Sequence, residues 1–538
     1  MQEETHEDDI IESLPAESPS IEVPAANTPE AVTEPWKKYL SLVAFLLAVA
    51  ASVFLRFYQL DLKPLHHDEG VNSYFLLNLY NHHSYKYDPT NYHGPSLYYF
   101  VVGLLKVFGQ TEFALRFFPS LCGVLTVAML WFLRRGLGLI GTPVAAWSMA
   151  LCPGLVYYSR DFIHESSFGF FTIGLIVTAY NWKKAASPIL FAIFAGLLYV
   201  TKETSVHTTA VLALAVLCAL GWDYIRSLLT GKVTGLPKID FSGITRFLIN
   251  YLPSFLIIFV TIYLVFYTSF FTNARGPLDF IKSVFMWTGR GVHEGIHDHA
   301  PTYYLGILLK LELPLILVVA AGVPITLWRG RKFGLFLMAV MFGMVLGYSA
   351  IPYKTPWLMV SMLIALTLYS GYAVQVWCET LSYLPLQAAV ILLVASAAVP
   401  VAKTSWLVNF EKYEDNENHT AYFKSLGEKL KLRPYTDTQY GYVYAQTAND
   451  ALNLVKAIQR ANPSDIQISS PDYWPLPWYL KNLRVSSYSQ ELPEGFALPA
   501  LIASSAQSEQ FTEKLSEHYY SEEFVLRPGV DLVLWLRK

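Results

Sequence analysis

Two histidines and two acids stand in a row in the first polar stretch of the sequence. His66, His67, Asp68 and Glu69 follow an apolar run and precede the apolar residues 71–80. One interpretation is a helix N-cap, because acids there meet free amide groups and the positive end of the helix dipole. The other is a general base that deprotonates an acceptor hydroxyl. A cap explains one acid but not the whole group, so we predict that Asp68 and Glu69 are catalytic.

A second polar cluster lies where a later apolar run begins. In a helix, Arg160 would lie beside His164, and Asp161 beside Glu165. Such a cluster could be a local set of ion pairs that anchors a helix end. Ionisable groups near membrane depth are nevertheless candidates for function. The candidate that lies deepest is Glu165, which we predict to be a second catalytic acid.

Two lysines end loops between apolar runs. Lysines at such positions often extend toward water from the end of a span, which is the alternative for both. Lys354 lies between Tyr353 and Pro356 in a tight turn, where a compact cation could bind a phosphate or pyrophosphate group. Lys202 is the second candidate for this role.

Metal binding has little support in the sequence. His297 and His299 flank an aspartate, but neighbouring histidines without a third spaced ligand are a weak zinc signal. We predict no metal site, and dependence on a divalent cation stays open. The four cysteines all lie in or beside apolar runs, which argues against a disulfide framework.

The elements that must position these residues are membrane helices. Hydrophobic residues make up 53% of the chain and charged residues only 15%, against about 25% charged residues in soluble domains. The net charge of −3 gives no indication of nucleic-acid binding. Apolar segments of spanning length are predicted at 38–58, 114–133, 137–158, 163–181, 186–201, 203–222, 246–270, 303–328, 333–350, 355–377 and 384–402.

Three parts are predicted: a disordered acidic tail over 1–35, a membrane domain over 36–402 and a small α/β domain over 403–538. In the last part, strands are predicted at 440–444, 466–468, 498–503 and 531–536, and a helix at 450–460. The fold class is therefore an all-α polytopic bundle of about eleven transmembrane helices, with juxtamembrane helices and a C-terminal α/β domain. The apolar segment 95–108 is short for a span and is expected to lie along the membrane surface.

Basic residues fix the predicted orientation. With 95–108 at the surface, the basic loops, among them Lys183–Lys184 and Arg329–Lys332, all fall on one side, which the positive-inside rule makes cytoplasmic. The N-terminus is then cytoplasmic and the C-terminal domain extracytoplasmic, in a multi-pass protein of the inner (plasma) membrane. All the polar clusters described above converge on the extracytoplasmic face.

These motifs, in this order, resemble the GT-C glycosyltransferases that use lipid-phosphate-linked sugars, in the branch of the protein O-mannosyltransferases and aminoarabinose transferases. The subgroup associated with flippase activity is the most similar. The resemblance covers nearly everything after residue 36. It is carried by His67-Asp68-Glu69, His93-Gly94-Pro95, the segment Arg160–Glu165, Thr201-Lys202-Glu203, the segment Ile351–Trp357, Tyr442–Ala445 and Asp472–Trp478.

The resemblance implies a polyprenyl-phosphate sugar donor and an inverting transfer to a lipid, glycan or protein acceptor. It assigns the base to Asp68, with Glu69 beside it, and a second acid to Glu165. The basic residues near the donor phosphate correspond to Lys354, then to Lys202 and Arg160. The other predicted substrate-binding residues are His67, His93, His164 and Tyr353.

Two alternatives remain. A transporter or non-catalytic flippase accessory would guide a lipid-linked substrate without making a bond, but it should show paired broken helices and charges at mid-membrane. An oligosaccharyltransferase is expected to carry the motif Trp-Trp-Asp-Tyr-Gly in its soluble domain, which this sequence lacks. The transferase is therefore the preferred hypothesis.

Overall fold

The structure is a computed structural model that describes residues 35–91, 93–231, 241–290, 297–381, 383–410, 441–443, 446–488, 492, 496–527 and 529–538. The predicted disordered tail lies outside the described residues, apart from Pro35, at which the first helix begins.

Sixteen helices build the membrane part of the described chain. They are α1 (Pro35–Phe57), α2 (His67–His82), α3 (Ser96–Phe108), α4 (Glu112–Met129), α5 (Arg134–Leu151), α6 (Pro153–Ser159), α7 (Glu165–Tyr180), α8 (Ser187–Tyr199), α9 (Ser205–Leu229), α10 (Phe241–Tyr267), α11 (Gly276–Arg290), α12 (Tyr303–Leu311), α13 (Leu313–Arg329), α14 (Lys332–Ala350), α15 (Met359–Thr380) and α16 (Leu384–Phe410). The predicted domain boundary at 402/403 falls inside α16, because the apolar helix continues for two more turns.

Among the described residues, seven helical segments are long and apolar enough to cross a membrane, or eight if α12 and α13, bent by 107°, count as one span. The predicted multi-span helical fold is confirmed, but the number eleven is not. Helices α7 and α8 contain 16 and 13 residues, fewer than the roughly 20 that a span needs. The predicted span 137–158 is divided between α5 and α6, with Pro153 at the start of α6. The segment predicted at the surface forms the 13-residue helix α3.

The largely buried helix α15 lies at the centre of the bundle and packs against α5 and α13. Helix α5 is broken at Gly138, whose φ of 79° favours glycine. The amide groups of Ile140 and Gly141, freed by the break, donate hydrogen bonds to Oε1 of Gln375 on α15, at 2.9 and 3.0 Å. A polar side chain of the central helix therefore caps the second half of α5.

In its described residues, the C-terminal part is a mixed five-stranded sheet with three helices. Its elements are α17 (Asp450–Ala461), β1 (Ile466–Ser469), α18 (Leu476–Tyr479), β2 (Val485–Tyr488), β3 (Ala500–Ser504), α19 (Ser505–Leu515), β4 (Tyr519–Arg527) and β5 (Val530–Arg537). The strand order is β2-β1-β3-β5-β4, parallel at β2-β1-β3 and antiparallel at β3-β5-β4. The interior strand β1 is buried throughout, as parallel strands covered on both faces are.

The predicted α/β character of this domain is confirmed, with strands near 466–468, 498–503 and 531–536 and a helix at 450–461. The strand predicted at 440–444 is wrong over 441–443, the part of it that the structure describes, where the chain bends and forms no strand. Strands β2 and β4 were missed. Their residues are largely exposed and polar, so the apolar pattern that marks a strand is weak there.

Candidate functional site

A cavity of about 450 Å³ lies where the bundle meets the C-terminal domain. Seven of the ten predicted site residues line it, and they come from five separate parts of the chain. They are His67, Asp68, His93, His164, Glu165, Lys202 and Tyr353. The structure therefore brings these seven residues together in one cavity. Glu69, Arg160 and Lys354 are outside the cavity lining.

Asp68 lies in the first turn of α2, and its half-buried side chain lines the cavity. Its backbone N–H donates to Nδ1 of His66, the N-cap residue, at 3.1 Å. Its carboxylate has no hydrogen bond or ion pair with any residue that the structure describes. A carboxylate held at a helix start, on a side chain that lines a cavity, is able to accept a proton from a bound hydroxyl.

Glu69 points the other way and is fully buried. Its oxygens accept hydrogen bonds from the backbone N–H of His66 at 2.8 Å and of Phe162 at 2.7 Å. They also form a bidentate ion pair with Arg116, at 2.7 Å for both bonds. The N-cap interpretation fits Glu69, with four donors on two oxygens, and this geometry does not support the predicted catalytic role.

Arg160 is a buried anchor for the segment of chain that leads to Asp68. Its guanidinium donates to the carbonyl oxygens of Leu55, Arg56, Tyr58 and Gln59, at distances between 2.7 and 3.3 Å. The predicted contact with a donor phosphate does not fit this arrangement, because the donors are directed at carbonyls behind the site.

Arg116 continues this pattern along the same loop. It donates to the carbonyl oxygens of Leu60, Lys63 and Pro64, at distances between 2.9 and 3.2 Å, in addition to its pair with Glu69. Two buried arginines therefore hold the backbone over residues 55–64, which fixes the position of α2 and of Asp68. Arg116 was not predicted as a site residue, because an arginine inside an apolar helix belongs to no local motif.

Lys354 has a comparable structural role in a different loop. Its buried ammonium donates to the carbonyl oxygen of His299 at 2.9 Å and to those of Ile351 and Pro352. The segment predicted as a tight turn pairs with the loop at 297–299, through an isolated β-bridge between Tyr353 and Asp298 and a hydrogen bond from Lys354 N to His297 O at 2.9 Å. All three N–H donors of the ammonium are directed at backbone carbonyl oxygens, so the structure does not support a phosphate contact.

Lys202 is the predicted lysine that does line the cavity. Its ammonium lies 2.5 Å from Oε1 of Glu165, and both side chains are almost completely buried. Burial lowers the pKa of Lys202, but the carboxylates of Glu165 and Glu203 outweigh this effect and raise it above its ordinary value. The lysine is therefore charged. Because an ammonium has three donors, and Glu165 is its only partner among the described residues, two donors remain for a ligand.

Two histidines lie beside this ion pair. His93 Nδ1 is 3.2 Å from Oε2 of buried Glu203, and the rings of His93 and His164 are 4.8 Å apart. His164 Nε2 is 3.0 Å from the carbonyl oxygen of Gly94, whereas Nδ1 is buried with no partner among the described residues. Burial, followed by the charges of His93 and Lys202, lowers the pKa of His164 well below its usual range. His164 is therefore a neutral imidazole that donates through Nε2.

Gly94 shows why the turn before α3 needs a glycine. A Cβ at this position would lie 2.2 Å from the carbonyl oxygen of Val200. The close approach lets Gly94 N donate to Thr201 O at 3.0 Å and Ser96 N to Val200 O at 3.1 Å. The two motifs that carry His93 and Lys202 are joined in this way into one wall of the cavity.

Several lining residues were missed or given no role in the sequence analysis. Asn72, Asn91 and Trp287 come from the bundle, and Asp472 and Arg527 come from the C-terminal domain. Asp472 belongs to the motif Asp472–Trp478, but Arg527 lies in no motif. Only the tertiary fold brings these residues together. In the parts of the chain that the structure describes, no group of three or more His, Cys, Asp or Glu side chains could hold a metal ion.

Residues 92–237 match a family model described as dolichyl-phosphate-mannose-protein mannosyltransferase. Among solved structures, the chain is similar to ArnT from Cupriavidus metallidurans bound to undecaprenyl phosphate, with 14% identity and a TM-score of 0.59, over 91% of this chain and 97% of that one. For apo ArnT the identity is 14% and the TM-score 0.60, over 92% of this chain and 98% of that one. The chain has the GT-C glycosyltransferase fold. The resemblance predicted from the motifs is thereby confirmed, and the matched family and fold relatives are glycosyltransferases.

A weaker likeness extends to the oligosaccharyltransferase of Archaeoglobus fulgidus in its apo form, with 15% identity and a TM-score of 0.49, over 84% of this chain and 64% of that one. No curated protein sequence matches the chain.

Proposed function

We propose that this GT-C protein transfers a sugar from a polyprenyl-phosphate donor to an acceptor hydroxyl, with inversion at the anomeric carbon. The observation that carries the proposal is the unpartnered carboxylate of Asp68 in the same cavity as the charged Lys202. The match to a mannosyltransferase family, and the fold shared with a protein that binds undecaprenyl phosphate, support a donor of this class.

In the proposed reaction, Asp68 accepts the proton of the acceptor hydroxyl while the hydroxyl oxygen attacks the anomeric carbon. The bond from that carbon to the phosphate oxygen breaks, and the electron pair leaves with the lipid phosphate. A single displacement inverts the configuration. General base catalysis of this kind contributes about 10²- to 10⁴-fold in rate.

Lys202 is the cation that we assign to the departing phosphate. Preorganised donors directed at a developing charge stabilise the transition state without further reorganisation. Glu165 accepts one of the three N–H donors of Lys202 and fixes the direction of the other two. We therefore assign Glu165 as the residue that positions Lys202, and His93 and His164 as polar contacts for the sugar or the phosphate.

We place the site at the extracytoplasmic face of an inner (plasma) membrane, with the N-terminus cytoplasmic. The basic loops on the opposite side support this orientation through the positive-inside rule. A cysteine introduced at Asn273 should react with an impermeant thiol reagent applied from outside, and a cysteine at Lys184 should not. Labelling of the Lys184 position alone would reverse the orientation.

The test of the activity uses purified protein in vesicles with polyprenyl-phosphate mannose and solubilised membranes of the source cell as the acceptor mixture. The wild type should release polyprenyl phosphate and label an acceptor. Asp68→Asn should lower the rate at least about 100-fold and leave polyprenyl phosphate binding in place. Asp61→Asn changes an exposed acid of the same loop and serves as the matched control.

Full activity of Asp68→Asn would remove the base from the proposal. Absence of transfer by the wild type with mannose and with other polyprenyl-phosphate sugars, together with retained lipid binding, would favour the non-catalytic accessory.

A further inference from the structure

Two residues of the C-terminal domain reach the cavity that holds Asp68. Asp472 lies in the loop after β1, and Arg527 is the last residue of β4. Nη2 of Arg527 donates to Oδ1 of Asp472. The other terminal nitrogen, Nη1, is buried and has no hydrogen-bond partner among the described residues. Because buried donors in proteins are nearly always satisfied, an orphaned guanidinium nitrogen beside a cavity points to an acceptor that comes from a ligand or a water molecule.

An irregularity at the end of β4 changes the direction of the Arg527 side chain. The pairing of β4 with β5 shifts register between Val525 and Arg527, and such irregularities re-aim side chains next to functional sites. The backbone on either side is fixed, since Val525 N donates to Asp450 Oδ2 and Ala448 N donates to Leu526 O, both at 2.8 Å. The direction of Arg527 is therefore set by the sheet and by Asp472.

The Arg527–Asp472 pair lies on the side of the cavity where the base is. The loop that follows Asp472 packs against α2, so closely that a Cβ at Gly70 would lie 2.6 Å from Pro475. His67, the neighbour of Asp68, responds to both charges of the pair. Burial is the main cause that lowers the pKa of His67 to about 4, with a smaller contribution from Arg527, while Asp68 and Asp472 act in the opposite direction.

We infer that Arg527, held by Asp472, forms an acceptor subsite that binds an anionic group, a phosphate or a carboxylate, carried by the acceptor near its reacting hydroxyl. This inference rests on the proposed transferase function. In a single displacement, the base lies beside the incoming hydroxyl and the leaving phosphate departs from the opposite side of the anomeric carbon. A cation next to the base therefore faces the acceptor, whereas Lys202 faces the donor phosphate.

The planar guanidinium suits this task better than an ammonium. Arginine binds phosphate and carboxylate through paired N–H donors in a fixed fork, and it stays charged at all relevant pH values. The salt bridge to Asp472 uses one side of the fork and leaves the other side for the ligand. The C-terminal domain then selects the acceptor, and the bundle provides the residues for sugar transfer.

The test separates acceptor use from donor use in the full-length protein. With polyprenyl-phosphate mannose alone, water can replace the acceptor, and slow donor hydrolysis reports on the donor site and the base. With solubilised membranes of the source cell added, transfer reports on the acceptor site. Arg527→Gln should lower transfer at least tenfold and leave donor hydrolysis and polyprenyl phosphate binding within twofold of wild type. Arg527→Lys keeps the charge without the fork and should recover part of the transfer.

The matched control is Arg484→Gln, because Arg484 also pairs with an aspartate of the same domain, Asp465 at 3.3 Å, but is exposed and outside the cavity. It should transfer as the wild type does. Inorganic phosphate and acetate, added to the wild type as competitors, should inhibit transfer in the order that matches the acceptor's anionic group, and neither should further inhibit Arg527→Gln.

Equal losses of transfer and donor hydrolysis in Arg527→Gln would assign Arg527 to the donor site and overturn the inference. Wild-type transfer by Arg527→Gln would overturn it as well. A wild-type protein that neither transfers nor hydrolyses would instead contradict the transferase function on which the inference rests. The unfolding temperature of each variant shows whether a loss of transfer comes from misfolding. If Arg527→Gln is misfolded, transfer and donor hydrolysis are compared in Arg527→Lys instead.

Discussion

Replacing Glu69 by glutamine tests whether the two adjacent acids of α2 have separate roles. The four groups that Glu69 accepts from, two backbone amides and two nitrogens of Arg116, are all donors. A glutamine side chain keeps one acceptor oxygen but replaces the other with an NH₂ group, which would face the donors that the second carboxylate oxygen now accepts from. It also leaves the guanidinium of Arg116 buried without a counter-charge.

The magnitude follows from burial. Glu69 is 0% exposed and Arg116 is 3% exposed, so solvent screens the pair very little. Removing one partner of a buried ion pair costs about 3–5 kcal/mol. We therefore expect Glu69→Gln to lower the free energy of unfolding by that amount, with a much lower unfolding temperature. Asp68→Asn, one residue earlier, should change it by less than about 0.5 kcal/mol, because its carboxylate has no protein partner to lose.

The assay is thermal unfolding of detergent-purified protein, followed by tryptophan fluorescence and by size-exclusion chromatography after heating. Polyprenyl phosphate binding and sugar transfer are measured on the same samples at a low temperature, where both variants are folded. The expected pattern is a stable, inactive Asp68→Asn and an unstable Glu69→Gln that keeps part of its activity while folded. A Glu69→Gln protein as stable as the wild type but without activity would refute the reasoning and return Glu69 to the catalytic group.

Three further predictions concern other contacts of the site. Lys354→Met removes three hydrogen bonds to carbonyl oxygens and should destabilise the protein by about 2–4 kcal/mol. The affinity for polyprenyl phosphate should not change, and a specific loss of that affinity would support a phosphate contact. Gly70→Ala should force the C-terminal domain away from α2, seen as faster limited proteolysis of the native protein, whereas unchanged proteolysis would show that Pro475 can yield. Burial lowers the pKa of His67 to about 4, so protonation of this group favours the unfolded chain as the pH falls from about 6.5. The free energy of unfolding of the wild type should therefore fall by about 2 kcal/mol through this group between pH 7.5 and pH 5. Thermal unfolding of His67→Asn, measured at both pH values, should lack that loss.

The sequence predicted the site well at the level of loops and poorly at the level of side-chain direction. His67, Asp68, His93, Glu165 and Lys202 could be grouped because loops between spans must lie on one face or the other of a membrane. Parity and basic residues are enough to group such loops. The direction of a side chain within a loop depends on which buried groups it can bind, and a single sequence does not show which groups lie nearby.

Adjacent residues show the limit most clearly. Asp68 and Glu69 are about 100° apart around a helix, so one faces the cavity and the other faces Arg116. Lys354 was predicted to bind a phosphate, but the neighbouring loops also present backbone carbonyl oxygens, and the ammonium binds those. Arg527 lies more than 450 positions from Asp68 in the sequence, and no local pattern could have associated the two.

The hydrogen bonds around Leu65 have a consequence for protein engineering. Leu65 N donates to the hydroxyl of Tyr479 at 2.9 Å, and Leu65 O accepts from Thr447 at 2.6 Å. The neighbouring Pro64 O accepts from Gln446 at 3.0 Å. The strand-and-helix domain thus holds the backbone just ahead of Asp68 and cannot be exchanged as an independent module. A chimera that combines this bundle with a relative's C-terminal domain should lose activity unless residues 60–66 are exchanged with that domain.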